Sequence, residues 1–292
     1  MQEVRKVAGL IPTDSVLEGG GFPVNRPFPT IRLSHIDPFM MIDEMGPVEW
    51  KPGEAIGAPD HPHRGFEAVT YLMKGHMIHK DSFGGSGELR DGDIQWMTTG
   101  SGLIHSEMPH PNFQKSGGIT HGFQIWVNLP AKDKMIDPYY QEIRASEIPT
   151  VNSDDGLTNI RVIAGSASGV TGKVQTRIPI HLFHVTIRPG GEFLEKILDS
   201  FNAMIYLFKG SVTTSDDGTN VTSRHLIDYG MGNTIIASVS KDAKEPAEFL
   251  LLAGEPINEP VSRYGPFIMN TKEEIVQAFE DLQAGKMGQI GN

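Results

Sequence analysis

The segment Glu67–Gly75, EAVTYLMKG, returns 135 residues downstream as Asn202–Gly210, NAMIYLFKG, with Ala, Tyr, Leu, Lys and Gly coinciding. A weaker echo links Phe123–Pro130 to Phe249–Pro256 in the same order. Two ordered matches point to a duplicated domain. Each copy has the marks of a β-domain, because short apolar or β-branched segments such as Ala68–Met73, His76–His79, Ile94–Met97 and Phe123–Val127 are separated by Gly-rich turns. Many short strands with such turns predict an antiparallel sandwich or barrel. The length of 292 residues suits about two domains of ~100–200 residues each. The division read from the sequence is 1–131, a connector over 132–156, and 157–292.

The first copy carries His61-Pro62-His63, answered by His105-Ser106-Glu107. Side chains alternate along a strand, so His61 and His63 share a face, as do His105 and Glu107. Brought side by side, these strands offer three imidazoles and a carboxylate, a donor set that suits one divalent transition metal. At the repeat offset the histidine positions become Lys196 and Leu198, and Gly232–Lys244 holds no His. The second copy is therefore expected to keep the scaffold and lack the site. His76 and His79 read as surface residues of a turn, and His181, His184 and His225 receive no ligand role. His121 reads as a structural histidine, with a supporting place beside the site as the alternative.

Other classes are disfavoured by composition. The net charge of −11 and a pI near 5.4 argue against direct nucleic-acid binding. With no cysteine, thiolate ligands, iron–sulfur clusters and disulfides are excluded. The N-terminal apolar run is too short for a signal peptide, and no segment reaches the ~20 apolar residues of a membrane span. The expectation is a soluble, cytoplasmic protein, taken as a monomer. The acid-bracketed run Asp37–Glu44 reads as a buried strand. Near the C-terminus, Thr271-Lys-Glu-Glu274 is a capping box ahead of Ile275, Ala278, Phe279 and Leu282. It predicts a short helix packed on a barrel, with the N-terminal one as the candidate, stopping at Gly285; Lys286–Asn292 reads as a disordered tail.

HPHRGFE, the stretch Gly92–Glu107, Asp37-Pro-Phe39 and Gln124-Ile-Trp-Val-Asn-Leu129 together resemble the pirin family of the cupin superfamily. The resemblance implies a bicupin, two stacked β-barrels with a metal in the N-terminal one only. Carried over by position, it makes His61, His63, His105 and Glu107 the ligands and Fe(II) the expected metal; the same donors also suit Mn, Ni, Cu or Zn. The general cupin pattern would place the carboxylate at Glu67, so Glu67 stays as the alternative or as a supporting group. The implied activity is that of a quercetin (flavonol) 2,3-dioxygenase, with dioxygen and a flavonol-like or enolic molecule as partners and Glu107 as ligand and base. Phe39, Met41, Met97 and Phe123 are candidates for an apolar pocket wall. The alternative implied by the family is a non-catalytic, metal- or redox-responsive co-regulator acting on a protein partner, and a zinc or manganese isomerase or hydrolase is a third reading.

Overall fold

The computed structural model describes residues 3–214 and 218–291. It divides into two compact units, one of Met1–Asp14, Ile36–Pro38 and Ser146–Pro256, the other of Ser15–His35, Phe39–Ala145 and Ile257–Asn292. Each unit is built from one seven-stranded and one four-stranded antiparallel sheet.

In the site-bearing unit the seven-stranded order is Tyr139–Ile143, Asp93–Thr98, Phe66–Lys74, Gly118–Asn128, Phe39–Trp50, Phe22–Phe28 and Asp14–Glu18. The four-stranded order is Ala58–His63, Leu103–Pro109, Met77–Asp81 and Ser86–Leu89. In the other unit the orders are Val7–Pro12, His225–Tyr229, Asn202–Lys209, Ala247–Gly254, Ile180–Ile187, Thr158–Ala164, Thr150–Asn152, and Glu192–Lys196, Thr234–Ser238, Ser211–Thr214, Thr219–Thr222. The repeated segments fall on matching strands: Phe66–Lys74 and Asn202–Lys209 are both third, and Gly118–Asn128 and Ala247–Gly254 are both fourth. The duplication read from the sequence is thus present in the sheets.

Strand Phe66–Lys74 is buried through Leu72, as expected where apolar side chains are covered on both faces of a sheet. The second unit has a continuous core in which Phe183, Ile205 and Phe249 of one sheet pack with Phe193, Val212 and Ile235 of the other. Phe193 and Ile197 point into that core, whereas Lys196 and Leu198, the offset positions, point outward.

Three features depart from the sequence reading. The connector 132–156 contributes strand Tyr139–Ile143, paired with Asp93–Thr98, and strand Thr150–Asn152, paired with Thr158–Ala164. Residues at the start of the chain, placed by the sequence with the N-terminal half, form strand Val7–Pro12 against His225–Tyr229 within the unit that lacks the histidine pair. Tyr139–Ile143 and Val7–Pro12 are edge strands added over long range, which local periodicity does not signal.

The third departure is the tail. Met287 is buried, and Ser82 Oγ donates to its carbonyl at 2.5 Å, so the expected disordered tail is anchored at Met287; Asn292 lies outside the described residues. The helix spans Lys272–Gln283, opened by the Thr271–Glu274 capping box in both its bonds. Its Ile275 and Ala278 pack with Phe267, Met269 and Met287, and Ile104 of the histidine strand lies against the same cluster. No helix among the described residues is long and apolar enough to cross a membrane.

Candidate metal centre

Strands Ala58–His63 and Leu103–Pro109 pair directly, with His105 opposite His61. Opposed residues of an antiparallel pair share a face, so all three imidazoles converge inside the barrel. Ring centroids lie 4.7 Å apart for His61 and His63, 4.3 Å for His61 and His105, and 5.0 Å for His63 and His105. One ring nitrogen from each lies within 4.8 Å of the others.

The chemistry of these nitrogens fits a metal. His61 Nδ1 donates to the Pro59 carbonyl at 2.7 Å, which fixes its tautomer and leaves Nε2 as a lone-pair donor. His63 Nδ1 and both ring nitrogens of His105 are buried with no hydrogen-bond partner. Buried polar atoms rarely go unpaired, and a shared cation would satisfy His63 Nδ1 together with one ring nitrogen of His105. Burial first, and then the neighbouring His61, hold His63 well below the ordinary histidine pKa, partly offset by the Pro266 backbone. Burial again leads for His105, followed by His63, His61 and His79. Neutral imidazole is the ligating form.

Glu107 shares the cavity but stands outside this tight group of three. The pairing register shifts here because three steps of Ala58–His61 oppose two of His105–Glu107, so the extra residue lies on the partner strand and Glu107 keeps the face of His105. Its Oε1 accepts from Thr70 Oγ1 at 2.8 Å, and the Thr70 oxygen is also 3.0 Å from the Gln124 side-chain amide. One hydroxyl has one proton to give. That proton serves either Glu107 Oε1 or Gln124 Oε1, the two acceptors that face the hydroxyl.

Glu67 faces elsewhere. Gly65, at φ +87°, breaks the strand between the two sheets, and a Cβ there would lie 2.0 Å from the Ile268 carbonyl oxygen. Side-chain parity therefore does not carry across it. Phe66 meets the His63 ring at 5.1 Å, while Glu67 is buried on the opposite face and accepts from Thr98 Oγ1 at 2.8 Å.

The remaining histidines divide. His121 pairs with Glu44 at 3.0 Å, a structural role. His79 corrects the surface-turn reading: it is buried on strand Met77–Asp81 directly opposite Glu107, and its Nε2 is 2.5 Å from Glu142 Oε1. A cross-strand register was needed to see this. His76, Glu88 and His110 form a second group with ligand-like spacing, but Arg90 already bonds Glu88 Oε1 at 2.9 Å, and His110 Nδ1 accepts from the Asn112 N–H.

Residues remote in sequence hold the site. The Lys134 Nζ donates to Gly65 O at 2.7 Å, Asn128 Oδ1 at 2.6 Å and Ile268 O at 3.0 Å, a full set of partners for an ammonium group. Burial lowers its pKa to about 7, with Glu259 and Glu274 opposing. Lys134 has no signal in the sequence beyond its place in a polar stretch.

His61, His63 and Glu107 border a cavity of about 520 Å³ whose wall includes Met41, Met45, Trp50, Gln124 and Trp126. Of the proposed wall residues, only Met41 lines it. Met97 packs in the core beside Phe66 and Trp126, Phe123 stacks on Tyr71, and Phe39 is buried.

Residues 21–127 match the family model described as Pirin, and residues 182–288 match that of the Pirin C-terminal cupin domain. A pirin-like protein of Solanum lycopersicum is 42% identical over 272 residues, covering 93% of this chain and 89% of that protein. The pirin of Homo sapiens is 41% identical over 274 residues, covering 93% and 90%. A solved structure of quercetin 2,3-dioxygenase from Acinetobacter baumannii superposes with a TM-score of 0.92 at 35% identity, covering 99% of this chain and 100% of that one.

Proposed function

The chain belongs to the pirin family, and on that premise we propose that it is a metal-dependent oxygenase of the flavonol 2,3-dioxygenase type, acting on a flavonol-like enolic molecule. The observation that carries this reading is the convergence of His61, His63 and His105 beside a largely apolar cavity, with His63 Nδ1 and the ring nitrogens of His105 buried and without a hydrogen-bond partner. The likeness to the Acinetobacter enzyme supports it.

In this reading His61 Nε2 and ring nitrogens of His63 and His105 hold the ion, with Glu107 as fourth ligand and Fe(II) as the metal. A redox-active divalent ion supplies Lewis acidity toward substrate oxygens and an electron path to dioxygen. The other tasks fall to the chain. Thr70 holds Glu107 through Oε1, leaving Oε2 to take the proton of an enolic hydroxyl. Trp126, Met41 and Trp50 give a flat ring an apolar wall and keep water from the reacting face.

The test is dioxygen uptake by iron-loaded protein with quercetin. Uptake matched to flavonol loss, and absent in His61→Ala, is the expected result. Iron-bound protein that consumes neither quercetin nor dioxygen would overturn the reading.

A further inference from the structure

The cavity is lined by two arginines of different standing. Arg26 is neutralised within the fold: its Nε and Nη2 meet the Asp43 carboxylate at 2.6 and 2.5 Å, and Nη2 reaches Glu18 Oε1 at 2.6 Å. Burial opposes its charge, and the two carboxylates more than restore it, raising the pKa.

Arg263 has no such partner. It lies on the short strand Ser262–Tyr264, half-buried, and makes one hydrogen bond, from Nη1 to the Met40 carbonyl at 3.1 Å. Among the described residues it forms no ion pair. A guanidinium carries five N–H donors, so most of its capacity is unused by the fold. The group sits over Trp126 with its central carbon 4.9 Å from the ring centroid, and the Trp126 ring lies 5.2 Å from that of His63. Burial, followed by the nearby Arg26, lowers the Arg263 pKa, while Asp43 and Glu18 offset part of this. The fold thus keeps a cation with spare donors at a partly dry aromatic wall beside the histidine cluster. An arriving anion would gain both charge-assisted hydrogen bonds and relief of that cost.

We infer that Arg263 is a specificity-determining residue that binds a carboxylate carried by an aromatic substrate. This rests on the substrate-binding role of the cavity in the reading above, and it adds that the preferred substrate bears a carboxylate apart from the enolic hydroxyl that Glu107 deprotonates. Arg is suited to the task because its planar fork can bind an oxyanion while its face stays on an indole.

Calorimetric binding of 2-naphthoate and its neutral isostere 2-naphthamide to the metal-loaded full chain tests this. The acid is expected to bind at least roughly tenfold more tightly than the amide, as a charge-assisted hydrogen bond implies. Arg263→Gln should remove about tenfold of the acid's affinity and leave the amide within about twofold, and Arg263→Lys, keeping the charge without the fork, should recover part of the loss. Equal weakening of both ligands would overturn the inference in favour of simple packing on Trp126. So would an acid affinity unmoved in Arg263→Gln, or a native protein without preference. Should Arg263→Gln fail to fold, full acid preference in a folded Arg263→Lys together with none for other aromatic carboxylates in the native chain would also overturn it. Failure of the oxygenase reading registers separately, as absent dioxygen uptake with this binding difference intact.

Discussion

Arg64 Nη1 meets Asp281 Oδ2 at 2.9 Å, joining the residue after His63 to the last turn of the C-terminal helix. Arg64 Nε also donates to the Ser101 carbonyl at 2.7 Å, so the guanidinium spans the histidine loop and the helix. Both partners are buried. Removing one partner of a buried pair strands the other charge, so Asp281→Ala is expected to cost roughly 2–4 kcal/mol. The urea midpoint should fall accordingly; an unchanged midpoint would mean that the pair contributes nothing net.

The same carboxylate sets an acid-side dependence. The Lys286 hydrogen bond, opposed by burial and joined by Arg64 and Gln277, holds Asp281 at about 2. An unfolded aspartate titrates near ~3.9. The folded value is the lower one, so the contribution is present above about pH 4 and lost as pH falls toward about 2. Asp281→Asn should flatten the melting temperature over that window, and an unaltered slope would refute the assignment.

Thr70→Val removes the hydroxyl on Glu107 Oε1 while keeping the shape. Loss of a buried hydrogen bond should cost about 1–2 kcal/mol of stability. The larger expected effect is on the site: groups that orient ligands typically matter about 10–100-fold in metal affinity. A competition titration with a chelator reads this directly. Native affinity in Thr70→Val would place Glu107 outside the ligand set.

Gly65→Ala tests the break between the two sheets. The new Cβ would meet the Ile268 carbonyl in a left-handed conformation, and a loss of roughly 3 kcal/mol or more is expected, or no folded protein at all. Gly84, at φ +86° with nothing within 4 Å of a Cβ, is the control. Gly84→Ala should cost only about 1 kcal/mol, in line with backbone strain alone. Equal losses at the two positions would remove the case for a close approach at Gly65.

How much of this is legible in the sequence follows from range. His61, His63 and His105 could be found because strand parity is local and His61–His63 pair in regular register with Leu103–His105. Glu67 shared that parity on paper and lost it at Gly65, whose left-handed backbone changes sheets. His79 became interior only through its register with Glu107, and the strand holding its partner Glu142 lies in a stretch that reads as a linker. Lys134, Arg263 and Asp281 act on the site from far along the chain, where hydrogen bonds to backbone carbonyls and a single ion pair leave no spacing rule to read. The duplicated sheets were visible as repeats because apolar strand centres tolerate few other residues. Their edge strands, Val7–Pro12 and Tyr139–Ile143, were not, since an edge is defined by what it pairs with.

The central claim is that His61, His63 and His105 together hold one divalent metal ion. Anaerobic titration of the chelator-treated full chain with Fe(II), followed by calorimetry, tests it most directly beside a His105→Ala variant whose melting curve shows it folded. The expected result is one ion bound per native chain and loss of that binding in the variant. Undiminished binding in folded His105→Ala, or none in the native protein with Fe(II) or with any other divalent transition metal, would contradict it.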